Sequence, residues 1–291
     1  MEFANSPQPS LSTPATSISS SDEQVPVVKF TTIKELFQVI DKTRSDVLIA
    51  SDISPKDVDE IHSARDKAGR GFRLSYISPL TEKMLITIPS RPHEAAHENI
   101  HKFIMFRIYG MGLDDRWSTE GATRYKSSEI QGSGSEPDKA GKPIPERPED
   151  GWPTLVIEAG YSQSMASLRA TMEWWFRASN HEVKIVLLIK VNQIQQSLVI
   201  ERWEEVHPTA RLGATTTRSV SPLRPDCRQE ITITKDTSSN PATYQVNSTD
   251  LVLPFRLLFL REPGPQEGDI VVTTAELQRC AAKVWYRRGQ A

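Results

Sequence analysis

Two short apolar runs, separated by one amphipathic segment, constrain this chain more than anything else in it. The first, Thr154-Leu155-Val156-Ile157, ends on Glu158, and the second covers residues 183–191. Both are short and rich in β-branched and aliphatic residues, which predicts strands buried on two faces. Between them, Met165, Leu168, Met172, Trp175 and Phe176 fall on one helical face. Arg169, Glu173 and Arg177 share another at four-residue spacing. Strand, helix and strand in that order imply a parallel crossover, so the centre of the chain is α/β. Residues 198–203 continue as a further strand.

Around this centre the pattern is plainer. Segment 1–26 is rich in Ser, Pro and Thr and has no Lys or Arg. It lacks the basic start of a secretory signal and the arginines of a mitochondrial presequence, and it reads as a disordered tail. Thr32 caps a helix running to Ile40, and Pro55 opens another that fades at Gly69. Residues 72–77 and 83–88 read as a strand pair, and 93–109 as a helix ended by Gly110. A short strand is expected over 123–127, and 139–153, with its prolines and charges, as an exposed loop. Beyond Glu204 the chain reads as loop over 206–228, with Arg211, Arg218, Arg224 and Arg228. Short strands follow over 230–235, 242–247 and 255–260, then a helix capped by Thr274. The expected organisation is a tail (1–26), an N-terminal extension (27–82), a core (83–205) and additions packed on it (206–291).

A net charge of −2 argues against a general nucleic-acid coat, while leaving room for a local basic groove. Two cysteines, Cys227 and Cys280, are too few for a disulfide framework or a thiolate zinc site. No apolar run reaches the roughly 18 to 20 residues of a membrane span. An intracellular protein, cytoplasmic or nuclear, is the expectation.

Two constellations carry chemistry. His93-Glu94-Ala95-Ala96-His97 matches HExxH, in which two imidazoles on one helical face bind zinc and the glutamate activates water. Pro92 puts both histidines in the first two turns, His101 falls at the wrong spacing for a longer signature, and no third ligand is evident. A polar helix start is the stronger reading. The second constellation is Asp138, after Pro137, with Glu158 at the end of its buried strand. Two carboxylates on adjacent strands would seat Mg²⁺, although Pro-Asp also suits a turn. Of Trp174 and Trp175, one belongs to the core and the other is free to stack on a base or pack on a neighbour.

From Lys83 to Trp203 the order of features resembles the restriction-endonuclease-like PD-(D/E)xK superfamily, and within it a bacterial endonuclease group and its fungal relatives. The features are Met84-Leu85-Ile86 before Pro89, His97 on the next helix, Pro137-Asp138, and Pro153 to Gly160 with Ser162 and Ser164 leading into a helix. The resemblance implies a mixed central sheet flanked by helices, with Asp138 and Glu158 as metal-binding acids and Glu94 or Glu98 as a helix-borne third. It also implies a lysine two residues after the second acid, where this chain has Gly160. Lys190, on the second strand, and Arg169, on the intervening helix, are the candidate replacements; an arginine clamps phosphate but is no base. The expected function is a Mg²⁺-dependent DNA phosphodiesterase or its degenerate descendant. The alternative is an inactive nuclease-fold module that binds nucleic acid or protein.

Overall fold

Ahead of the HExxH segment, the chain completes a first sheet. The computed structural model describes residues 25–121, 123–207 and 222–286. Its first layer contains β1 (Val27–Lys29), α1 (Ile33–Lys42), β2 (Val47–Ser51), α2 (Pro55–Lys67), β3 (Arg73–Ser75) and β4 (Met84–Thr87). The strands form a four-stranded sheet in the order β1-β2-β4-β3. Thr32 caps α1, and Ser54 and Asp57 form a capping box on α2 with Pro55 at its first position. Leu36, Ile40, Leu48, Val58, Ile61, Leu74 and Ile86 fill a core of its own.

The second layer begins with α3 (Arg91–Gly110), followed by β5 (Trp117–Glu120), β6 (Tyr125–Lys126), β7 (Gly134–Ser135), β8 (Lys139–Pro143) and β9 (Leu155–Gly160). Next come α4 (Met165–Ala178), β10 (Ile185–Asn192), β11 (Ser197–Val206), β12 (Arg224–Asp236) and β13 (Thr243–Val246). The end of the chain holds β14 (Leu251–Leu253), α5 (Phe255–Phe259), β15 (Ile270–Val272) and α6 (Thr274–Val284). A seven-stranded mixed sheet runs β13-β12-β11-β10-β9-β8-β5. β9 and β10 are parallel, joined by α4 as the apolar runs predict, and their other neighbours are antiparallel. Alternation along β9 divides two cores. Leu155, Ile157 and Ala159 pack with residues of α3 and α6, while Val156 packs with Trp174, Trp175 and Phe176 of α4.

Several local expectations change. Residues 139–143 are not an exposed loop but a buried strand, β8, between β9 and β5. The glycine at its centre makes this possible: a side chain at Gly141 would run into the Trp117 ring. Residues 255–259 form the helix α5, where Phe255 and Phe259 stack at four-residue spacing, 4.5 Å between centroids. Arg224 and Arg228 lie in β12, whereas Arg211 and Arg218 and the rest of the expected loop over 208–221 fall outside the described residues. The expected disordered tail also falls outside them, apart from its last two positions. Thr273, not Thr274, caps α6, in a capping box with Glu276. Among the described residues, no helix is long and apolar enough to cross a membrane.

Candidate functional site

Side chains from five elements converge where the two layers meet. Ser90 caps α3, so His93, Glu94 and His97 stand in its first two turns on one face. Arg73 comes from β3 of the first layer. Asp138 precedes β8 by one residue, and since Lys139 pairs with Ile157, it faces Glu158 across the β8–β9 pair. Glu158 points to the α4 side of the sheet, where Trp175 waits.

The contacts form a chain of alternating charge. Glu94 Oε1 lies 3.3 Å from His93 Nδ1, 3.3 Å from His97 Nε2 and 3.2 Å from an Arg73 guanidinium nitrogen. The same nitrogen lies 3.2 Å from Asp138 Oδ1. Asp138 Oδ2 accepts the backbone N–H of Ala159 at 2.7 Å and stands 3.2 Å from His93 Nε2. That last contact is off-line for a hydrogen bond, so it is an ion pair held by charge. Glu158 accepts the Trp175 indole N–H at 2.6 Å. His97 is fully buried, and neither of its ring nitrogens makes a hydrogen bond.

Burial is the dominant electrostatic fact. Asp138 is 3% exposed, Glu158 8% and His93 1%. Burial, then the negative charge of Asp138, pushes the Glu158 carboxyl up to about 8 despite the indole donor. Burial also opposes ionisation of Asp138, but His93, His97 and Arg73 outweigh it and hold its carboxyl well below the usual carboxylate range. His93 is disfavoured as an imidazolium by burial, yet Asp138 and Glu94 lift it to about 10. Glu94, set against both histidine rings and Arg73, is held far below an ordinary carboxylate. At neutral pH Asp138 and Glu94 are therefore anions, Arg73 and His93 are cations, and Glu158 keeps its proton.

The structure brings Asp138, Glu158 and Glu94 together and leaves the other predicted site residues at its margin or outside it. Glu98, half-exposed, faces Lys139 at 2.8 Å. Arg169 meets Glu201 of β11, its Nε 3.0 Å from the carboxylate, rather than Asp138 or Glu158. Lys190 is paired in register with Gly160, on the Glu158 side of the sheet, and donates to the Tyr161 carbonyl at 2.7 Å. Gly160 is there because a side chain would crowd Leu168 at 3.0 Å and the Gln163 carbonyl at 3.1 Å. The Pro137-Asp138 pair is no exposed turn. Trp174 and Trp175 are both buried, and neither is free to stack on a base.

Arg73 and Trp175 are the contributors sequence reading missed in these roles. A lone arginine in a six-residue apolar stretch carries no signal for its partner, since that partner is 65 residues away. The histidines were visible as a motif, but not as neighbours of the acids. No model of a known protein family matches the chain, and no curated protein does.

Proposed function

We propose that the chain is a Mg²⁺-dependent phosphodiesterase acting on DNA. The observation that carries this reading is the burial of Asp138 and Glu158 side by side on neighbouring strands. Crowding there is severe enough that Glu158 keeps its proton up to about 8. Two carboxylates of which one resists ionising form a seat short of a cation. The resemblance to the PD-(D/E)xK superfamily supports the same reading, because Pro137-Asp138 opens one strand and Glu158 lies in the next, followed by a crossover helix. Bound Mg²⁺ would lower the pKa of a coordinated water and steady charge developing on a phosphate.

The chain's own groups have separable tasks in this reading. Arg73 bridges Glu94 and Asp138 through one nitrogen, which leaves its other N–H groups to meet a phosphate oxygen. Lys190 supplies the ammonium on the Glu158 face that position 160 lacks. Trp175 orients the Glu158 carboxyl by its indole donor.

A second reading, a binding module without catalysis, is favoured by one observation: position 160 carries no side chain, and one there would press on Leu168 at 3.0 Å and the Gln163 carbonyl at 3.1 Å. Supercoiled plasmid separates the two. The phosphodiesterase nicks it with Mg²⁺ and loses that activity in Glu158→Ala. Intact plasmid with both Mg²⁺ and Mn²⁺, and no heat of Mg²⁺ binding by calorimetry, leaves the binding module.

A further inference from the structure

We propose that His93, Glu94 and His97 form a second cation site beside the acid pair, one that takes a zinc-class transition-metal ion with Glu94 as a ligand. The inference stands on geometry that the phosphodiesterase reading does not use. Their ligand atoms all lie within 4.8 Å of one another. Glu94 Oε1 is 3.3 Å from a nitrogen of each ring. Ligands about 2.0 to 2.1 Å from a tetrahedral Zn²⁺ stand about 3.3 to 3.4 Å apart, so both separations already match the edges of such a polyhedron.

Two further observations point to a ligand. His97 is 0% exposed with both ring nitrogens lacking hydrogen bonds, a costly state for a buried polar side chain unless something else engages it. His93 presents Nδ1 to the cluster, while its opposite nitrogen, Nε2, faces Asp138 Oδ2 at 3.2 Å. A carboxylate behind a ligating imidazole fixes the ring and raises its basicity, and metal-binding histidines habitually have one. Asp138 is thus a positioning residue for this site. Glu94, at 34% side-chain exposure, provides the way in from solvent.

Donor chemistry selects the ion. Two imidazoles and one carboxylate suit zinc and its transition-metal neighbours, whereas Mg²⁺ prefers oxygen alone. Three protein ligands leave a fourth position open, as in sites that bind water or substrate. The arrangement differs from the HExxH plan, in which the glutamate stays off the metal as a base.

The test uses the full chain, stripped with chelator and titrated with Zn²⁺ or Mg²⁺ in a calorimeter, with Co²⁺ as an optical probe. One Zn²⁺ per chain is expected, with visible bands of four-coordinate Co²⁺. Glu94→Gln, partly exposed and safest for folding, and His97→Gln should each weaken Zn²⁺ at least about tenfold, and Asp138→Asn roughly 10- to 100-fold. Glu158→Gln should leave Zn²⁺ affinity within about twofold, as expected for a residue outside the ligand set. Circular dichroism establishes that each variant is folded. No Zn²⁺ uptake by the folded chain, or uptake unchanged in Glu94→Gln, overturns the proposal. Zinc binding with intact plasmid defeats the phosphodiesterase reading alone. Mg²⁺-dependent nicking without zinc binding defeats this one alone.

Discussion

Asp138 and Glu158 are chemically similar and physically opposite. Asp138 is an anion held by Arg73 and His93, so Asp138→Asn leaves two buried cations short of a partner. Breaking a buried pair in this way costs about 3–5 kcal/mol. Glu158 is already neutral at pH 7, so Glu158→Gln keeps shape and charge and should cost no more than one hydrogen bond, about 1 kcal/mol. Urea unfolding of the two variants at pH 7 checks the contrast, and equal losses would refute the charge assignment. The same groups fix how stability depends on pH. His93 binds its proton more tightly folded than unfolded, so its contribution is complete below about 6.5 and lost as pH rises toward about 10. Glu158 also holds more protons folded than unfolded, so stability falls between about 4.5 and about 8. Asp138 and Glu94 act the other way, contributing above the carboxylate range and losing that as acid protonates them. Stability should therefore peak near the ordinary carboxylate value, at about pH 4.5, and decline from there as first Glu158 and then His93 lose their protons. Glu158→Gln should remove the decline from about 4.5 to about 8, and His93→Gln the decline above 6.5, both read from unfolding midpoints across pH. At this scale the two acids and both histidines could be read in the sequence, because strand ends and short motifs are local. Arg73 could not, because what makes it matter is a contact between layers.

Among the elements, the crossover from β9 through α4 to β10 was legible because its hydrophobic periods are clean. β8 was hidden. Its residues, Lys139-Ala140-Gly141-Lys142-Pro143, lack the β-branched side chains that mark strands, and position 141 is glycine because Trp117 lies over it. Pairing with β9 and β5, not propensity, makes this a strand. α5 was misread for the converse reason: its aliphatic and aromatic run fits either period, and the stack of Phe255 on Phe259 decides for helix. The close seat of Gly160 bears on the proposed phosphodiesterase. Placing a lysine at 160 should not raise its nicking activity, because Leu168 and the Gln163 backbone must first yield. Gly160→Lys is expected to cost about 1–3 kcal/mol of stability by overpacking. A Gly160→Lys chain as stable as the parent in urea would show that the helix start after β9 gives way easily.

Across the whole molecule, the two layers are bound by ionic contacts as well as packing. Glu136, just upstream of Asp138, is buried against Arg65 and His62 of α2 and accepts the backbone N–H of Leu74 at 3.0 Å. Asp46, just before β2 of the first layer, accepts the Ser162 N–H after β9 at 3.0 Å. A chain begun at residue 91 would therefore carry buried Glu136 and Asp138 without their arginines. It should show no cooperative unfolding transition, while the intact chain melts as one unit; calorimetry of both tests this, and a sharp transition in the shortened chain would count against it. The division of labour between layers also has a temporal meaning. During synthesis the ribosome delivers Arg73, with its own small core, and then the histidines of α3, well before Asp138 or Glu158 exists. N-terminal units generally form first at translation speed. The acids thus follow, in order of synthesis, the arginine and the histidine that face them in the folded protein.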